Sequence, residues 1–110
     1  MAEQAALLER IGNIAKITMN NPASLNSMTQ ALLDDTRVAL REVEEDSTVR
    51  AVIFTGAGRA FCAGGDLPYI LTFDNIAKSR RYIQDIAELV NLIVHMSKPV
   101  IAMVNGVAAG

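Results

Sequence analysis

The chain has 110 residues, which at ~100–200 residues per domain means one domain or part of one. With 51% of residues hydrophobic and 20% charged, disorder driven by low hydrophobicity is excluded. Ten Lys and Arg against twelve Asp and Glu leave a net charge of −2, which argues against a nucleic-acid partner, since such proteins carry a clustered basic excess. One Cys and one His exclude an intrachain disulfide framework and the usual structural zinc sets, so no metal site is expected. No apolar run reaches the ~18 residues of a membrane span. Met1–Arg10 carries Glu3, Glu9 and Arg10 where a signal peptide has a basic start and a long apolar stretch. A cytoplasmic protein is expected, without membrane or nucleic-acid partners.

In chain order, a weak first strand is predicted over Ala5–Glu9, with Gly12-Asn13 as the turn into a half-buried strand over Ile11–Met19, where Ile11, Ile14, Ile17 and Met19 lie among Asn13, Lys16 and Thr18. Asn20–Ser24 is a loop, because Pro22 removes a donor and biases Asn21 away from helix. Asn26 or Ser27 is suited to cap a helix running to about Glu45, with Met28, Leu32, Thr36, Leu40 and Val43 as its buried stripe. Val49–Thr55 is β-branched and reads as a buried strand that breaks at Gly56-Ala57-Gly58-Arg59. A second helix is predicted over Asp74–Met96, with a stripe of Ile76, Ile83, Ile86, Val90 and Ile93. Pro99 stops it, and Val100–Val104 reads as another buried strand. Strand, helix, strand, helix, strand points to an α/β fold with crossovers between mainly parallel strands. The last residues, Pro99–Gly110, are an apolar run ending in small residues, whereas domains usually finish in polar or docked segments. The chain is therefore expected to be the N-terminal part of a larger domain.

The segment with chemical potential is Phe61-Cys-Ala-Gly-Gly-Asp-Leu67. Adjacent glycines after a buried strand permit positive φ and close backbone approach, and amides exposed at such a turn suit an oxyanion. From spacing alone, an ordinary tight turn with no ligand explains the glycines somewhat better. Neither G-x-G-x-x-G nor a G-K-[ST] loop is present, which excludes those two phosphate-binding patterns.

Gly58-Arg-Ala-Phe-Cys-Ala-Gly-Gly-Asp-Leu67 resembles the signature of the enoyl-CoA hydratase/isomerase (crotonase) superfamily. So do Asn21-Pro-Ala-Ser-Leu-Asn-Ser-Met28 before it and Lys98-Pro-Val-Ile-Ala-Met-Val-Asn-Gly-Val-Ala-Ala-Gly110 after it, in the family's order. Three blocks in register across Ile11–Gly110 are far more specific than any one alone. The resemblance implies a ββα spiral, incomplete in these 110 residues, as the N-terminal part of an acyl-CoA-binding domain. It implies that the backbone amide of Gly65 holds the thioester oxygen of an acyl-CoA and stabilises an enolate. The second donor would be the glycine that follows Gly110 in the family pattern. Ala63, Gly65, Asp66 and Leu67, with Ser24 in the Asn-Pro loop, would meet coenzyme A through their backbones. Coenzyme A is then part of the substrate, and no separate cofactor is implied.

Hydration of a trans-2-enoyl-CoA is the implied default. Isomerisation, dehalogenation, decarboxylation and thioester hydrolysis use the same oxyanion hole, and the acids and bases that separate them, two glutamates in hydratases, lie beyond Gly110 in the family. An alternative of another class is a catalytically incomplete module that binds coenzyme A or a sister chain. Full-length relatives imply a homo-oligomer, trimer or hexamer. Asp66 is read as fixing its loop, Cys62 as a small buried hydrophobe and His95 as a residue near a helix end. Lys78, Arg80 and Arg81 are read as a solvated helix face ahead of a phosphate clamp.

Overall fold

The computed structural model describes residues 4–110; Met1 and Glu3, cited above against a signal peptide, lie outside them. Strand β1 (Ala6–Ile11) turns at Gly12, whose φ of 60° suits a two-residue hairpin, into the antiparallel β2 (Ile14–Met19). Helix α1 (Gln30–Glu45) carries the chain over to β3 (Ala51–Gly56), which lies parallel to β2. A short strand β4 (Ala60–Cys62) and a single helical turn α2 (Leu67–Ile70) precede the long helix α3 (Ile76–Val94). Strand β5 (Val100–Ala102) then adds to β3 in parallel, and β6 (Val107–Ala108) adds to β4 in parallel. The two sheets have strand orders β1-β2-β3-β5 and β4-β6. Each passage therefore places one strand in each sheet: β3 with β4, then α3, then β5 with β6. This is the repeating ββα unit expected from the resemblance.

The core lies between the four-stranded sheet and the helices. Ala15, Ile17 and Met19 of β2 alternate inward, matched by Val52 and Phe54 of β3 across the ladder. Against them α1 sets Leu32, Leu33, Thr36, Leu40 and Val43, each at most 1% exposed. The predicted stripe of α1 is correct at Leu32, Thr36, Leu40 and Val43, but Met28 precedes the helix, and the helix cap is not Asn26 or Ser27. Thr29 caps it, its hydroxyl accepting from the Leu32 amide at 3.1 Å. Asn26 is unsuited to that task because its φ of 55° and its buried side chain serve another loop. At the other end of α1, Lys98 donates to the carbonyls of Val43 and Asp46, a cation placed on the negative end of the helix.

The predicted stripe of α3 is half wrong. Ile86 and Ile93 pack on the core beside the buried Tyr82 and Leu89, whereas Ile76, Ile83 and Val90 are 76%, 64% and 50% exposed. The facing stripe is 82, 86, 89 and 93, at spacings of three and four. Tyr82 turns inward, its hydroxyl bonded to two half-buried backbone partners, and Ile83 is then carried about 100° round the helix by the 3.6-residue repeat. Ile83 and Val90 are exposed, as are the apolar side chains Ile101, Met103, Val104 and Val107 of the last segment. Among the described residues no helix is long and apolar enough to cross a membrane.

Candidate active site

The three motif blocks, far apart in sequence, meet at one place. The Asn21–Met28 loop lies along one side of Ala63–Gly65: the Ala63 amide donates to the Leu25 carbonyl (3.0 Å), and the Met28 amide donates to the Gly64 carbonyl (2.7 Å). The final segment also joins this strand, with the Ala109 amide donating to the Cys62 carbonyl (3.0 Å). Two asparagines clamp the loop between β3 and β4. Asn26, fully buried, donates from Nδ2 to the carbonyls of Ala57 (3.0 Å) and Ala60 (2.9 Å), and its Oδ1 accepts from the Asn21 amide (2.8 Å). Asn105 donates from Nδ2 to the carbonyls of Gly58 (2.9 Å) and Ala60 (3.2 Å), and its Oδ1 accepts from the Gly56 amide (3.1 Å). Asparagine alone among the small side chains offers both donors and an acceptor for such a clamp.

At the centre are Gly64 and Gly65. Gly64 has a φ of 101°, and a Cβ built on it would lie 2.9 Å from the Ala109 carbonyl oxygen and 3.0 Å from the Gly110 Cα. Only glycine lets these two backbones approach so closely. Gly65 is paired in parallel with Met28, so the ladder bonds on the Met28 side involve its neighbours Gly64 and Asp66. Alternation in an extended chain then turns the Gly65 amide away from Met28. Among the described residues that amide has no acceptor. Gly110 lies close by: a Cβ on Gly110 would lie 3.6 Å from the Gly65 nitrogen.

The loop is held rigidly. The Tyr82 hydroxyl accepts from the Asp66 amide (2.8 Å) and donates to the Met28 carbonyl (2.6 Å). Burial pushes the Tyr82 phenol above its ordinary pKa, so it stays neutral and serves as donor and acceptor together. Tyr82 packs edge-on against Tyr69 and Phe73, with ring centroids 5.5 and 5.7 Å away. The Asp66 side chain caps α2 by accepting from the Tyr69 amide at 3.5 Å, and its carbonyl accepts from the Ile70 amide at 2.9 Å. Leu67 opens α2 with its side chain 68% exposed.

Ser24 ends a single 3-10 turn, Pro22–Ser24, with its amide (3.1 Å) and hydroxyl (3.2 Å) both on the Asn21 carbonyl. Cys62 is half-buried on β4 against the core. His95 ends α3 with its Nδ1 3.0 Å from the Asn91 carbonyl, while Lys78 pairs with Asp74, and Arg80 and Arg81 are exposed. None of these four is brought to Gly65 by a hydrogen bond or ion pair among the described residues. Among the described residues no group of three His, Cys, Asp or Glu side chains is placed to hold a metal ion. The groove between α1 and α3, lined by Leu40, Leu92 and Met96, shares no residue with the glycine loop. Sequence reasoning missed Asn26, Asn105 and Tyr82 as the residues that hold this loop. The two asparagines stand inside the motif blocks, but nothing in their spacing reveals a shared target, and Tyr82 sits just off the stripe predicted for its helix.

The family model described as enoyl-CoA hydratase/isomerase matches residues 9–110. The chain belongs to the enoyl-CoA hydratase/isomerase family. A probable peroxisomal enoyl-CoA hydratase of Arabidopsis thaliana is 38% identical over 97 residues, which cover 88% of this chain and 35% of that protein. A short-chain-enoyl-CoA hydratase of Clostridium acetobutylicum is 36% identical over 105 residues, covering 94% of this chain and 40% of that protein. The crystal structure of an enoyl-CoA hydratase from Bacillus anthracis superposes with a TM-score of 0.90 at 33% identity, covering 96% of this chain and 41% of the other. The chain thus spans well under half the length of these hydratases, and over that span it has the crotonase fold.

Proposed function

We propose that the protein carrying this chain hydrates trans-2-enoyl-CoA thioesters, with the Gly65 amide as one of two donors to the thioester oxygen. One observation supports this above the rest: among the described residues the Gly65 amide is without an acceptor, in a loop whose Ala63 amide, Gly64 carbonyl and Asp66 amide are each engaged. Attack by water at the β-carbon of an enoyl thioester moves the electron pair of the double bond towards the carbonyl, and an enolate oxygen develops. A donor aimed at that oxygen beforehand costs no reorganisation as the charge grows, and one such donor is worth ~10²–10³ in rate.

In this reading the second donor is the glycine that follows Gly110 in the family pattern. The close approach of Gly110 to Gly64 and Gly65 supports that placement. The backbones of Ala63, Asp66 and Leu67, with Ser24 across the loop, meet the coenzyme A portion, which arrives as part of the substrate. The general acid and base come from carboxylates outside these 110 residues, and Asp66 is committed to its cap. Hydration is chosen over isomerisation because the relatives above are named hydratases. Homo-oligomerisation is part of the same proposal, supported by the exposed Ile83, Val90 and Ile101. So is a cytoplasmic location, supported by the free Cys62.

The test is incubation of the complete protein with crotonyl-CoA. Loss of the conjugated absorbance, with a product heavier by one water, is expected. The 110-residue chain alone should be silent, since one amide without acid or base cannot run the reaction. No hydration by the complete protein, with migration of the double bond in a 3-enoyl-CoA, would replace hydration by isomerisation.

A further inference from the structure

The parallel pairing of Met28 with Gly65 is shared with a side chain from another element. A regular parallel ladder around Gly65 makes two bonds with Met28: its amide to the Gly64 carbonyl, and the Asp66 amide to its carbonyl. The first is present at 2.7 Å. In the second, a side chain from another element is inserted: the Tyr82 hydroxyl takes the Asp66 amide at 2.8 Å and passes its own proton to the Met28 carbonyl at 2.6 Å. The two strands are therefore bridged by a hydroxyl on the Asp66 side and directly bonded on the Gly64 side. The peptide between Gly64 and Gly65, whose nitrogen is the unpaired amide, lies between the direct bond and the bridged one. A Cβ on Gly65 would lie 3.8 Å from the Tyr82 hydroxyl, so the hydroxyl reaches the residue itself.

We infer that Tyr82 is a positioning residue for the Gly65 amide: its hydroxyl, inserted between Asp66 and Met28, sets the direction in which that amide points. The inference rests on the function proposed above for Gly65. Tyr82 does not touch the substrate. It acts through the strand, and its ring is kept in place by Tyr69 and Phe73, so removal of the hydroxyl leaves the packing intact. Without the hydroxyl, the Asp66 amide and the Met28 carbonyl either close into the direct ladder bond or remain half-buried and unpaired. In both cases the amide before them turns.

The experiment is Tyr82→Phe in the complete protein, with Tyr69→Phe as the control that removes a hydroxyl from the same ring cluster. Three readouts are taken: the amide resonance of Gly65, kcat and KM for crotonyl-CoA, and thermal unfolding. Tyr82→Phe is expected to shift the Gly65 amide resonance and to lower kcat about tenfold, with KM changed less than about twofold, because a misaimed donor matters most as charge develops. Tyr69→Phe is expected to leave all three as in the wild type. A Gly65 resonance and kcat that are both unchanged in Tyr82→Phe overturn the inference. So does an equal effect on KM and kcat that follows lost thermal stability. Should the wild type not turn over crotonyl-CoA, the hydratase reading fails by itself, and the Gly65 resonance still decides whether Tyr82 aims the amide. Should Tyr82→Phe not fold, 4-fluorophenylalanine at position 82 fills the place of the hydroxyl but cannot donate to the Met28 carbonyl, and an unmoved Gly65 resonance there overturns the inference equally.

Discussion

Gly64 and Gly65 are neighbours of the same type, yet alanine at the two positions should have opposite consequences. At Gly64 the φ of 101° is a conformation that L-residues rarely adopt, and holding one there costs on the order of 1–3 kcal/mol. The new methyl would also lie 2.9 Å from the Ala109 carbonyl oxygen and 3.0 Å from the Gly110 Cα. Both are backbone atoms, and neither can rotate away, so the segment around β6 must part from β4. Overpacking of that kind typically costs about 1–3 kcal/mol more. Strain and overpacking together, Gly64→Ala should lose about 2–6 kcal/mol of a native stability that is usually only about 5–15 kcal/mol. Gly65 has no positive φ, and its new methyl would crowd the Ile70 Cδ1 at 3.3 Å, the far end of a half-exposed side chain that can turn aside, and meet the Tyr82 hydroxyl at an ordinary 3.8 Å. Gly65→Ala should stay within about 1 kcal/mol of wild type, partly because alanine restricts the unfolded chain. Its amide is retained, so turnover should persist. Urea unfolding of both variants of the complete protein, followed by circular dichroism, measures the difference directly. Equal midpoints for the two variants would refute the close-approach argument.

Two other predictions concern charge and the exposed face. The Thr48 hydroxyl and amide, together with Arg10, hold the Asp46 carboxyl down at about 2 from an ordinary 3.8, so the stability it contributes is present above 3.8 and is lost as pH falls from there towards about 2; Asp46→Asn should flatten an acid-unfolding curve over that range, and a curve as steep as wild type would contradict the assignment. Ile83 and Ile101 are large apolar side chains 64% and 56% exposed, so the isolated 110-residue chain should self-associate, and Ile83→Lys with Ile101→Lys should reduce this in sedimentation; a wild-type chain that is a clean monomer at high concentration would count against it.

Much of the fold was legible because it rests on burial periodicity. The α1 stripe through Leu32, Leu40 and Val43 and the apolar run of β3 each have one apolar face or a continuous buried stretch, and each was read correctly. The same logic failed for α3, which is apolar on two faces. Ile83 and Val90 look as core-like as Ile86 and Ile93, and the choice between them was made by Tyr82, a residue with a polar tip that hydropathy alone does not count as core. The three-residue β4, the two-residue β6 and the single-turn α2 carry too few side chains for any period to show. Their positions come from long-range backbone pairing, such as Ala109 with Cys62. At the site, the resemblance singled out the Gly64–Gly65 turn and the two flanking blocks, which the fold brings together. What holds that turn was not legible: Asn26 and Asn105 reach the same Ala60 carbonyl from 34 and 45 residues away in sequence, and no local pattern encodes such convergence.

The central claim is that the Gly65 amide itself, and not its side chain, does the chemistry. Gly65→Pro removes that donor, and because the amide has no acceptor among the described residues, no internal hydrogen bond is lost with it. The most direct measurement is kcat for crotonyl-CoA together with the Kd for coenzyme A, in the complete protein and its Gly65→Pro variant, with circular dichroism reporting the fold. The account predicts a loss of ~10²–10³ in kcat, about 2.7–4 kcal/mol of transition-state stabilisation, with a much smaller change in Kd. Full kcat in a correctly folded Gly65→Pro variant would contradict it.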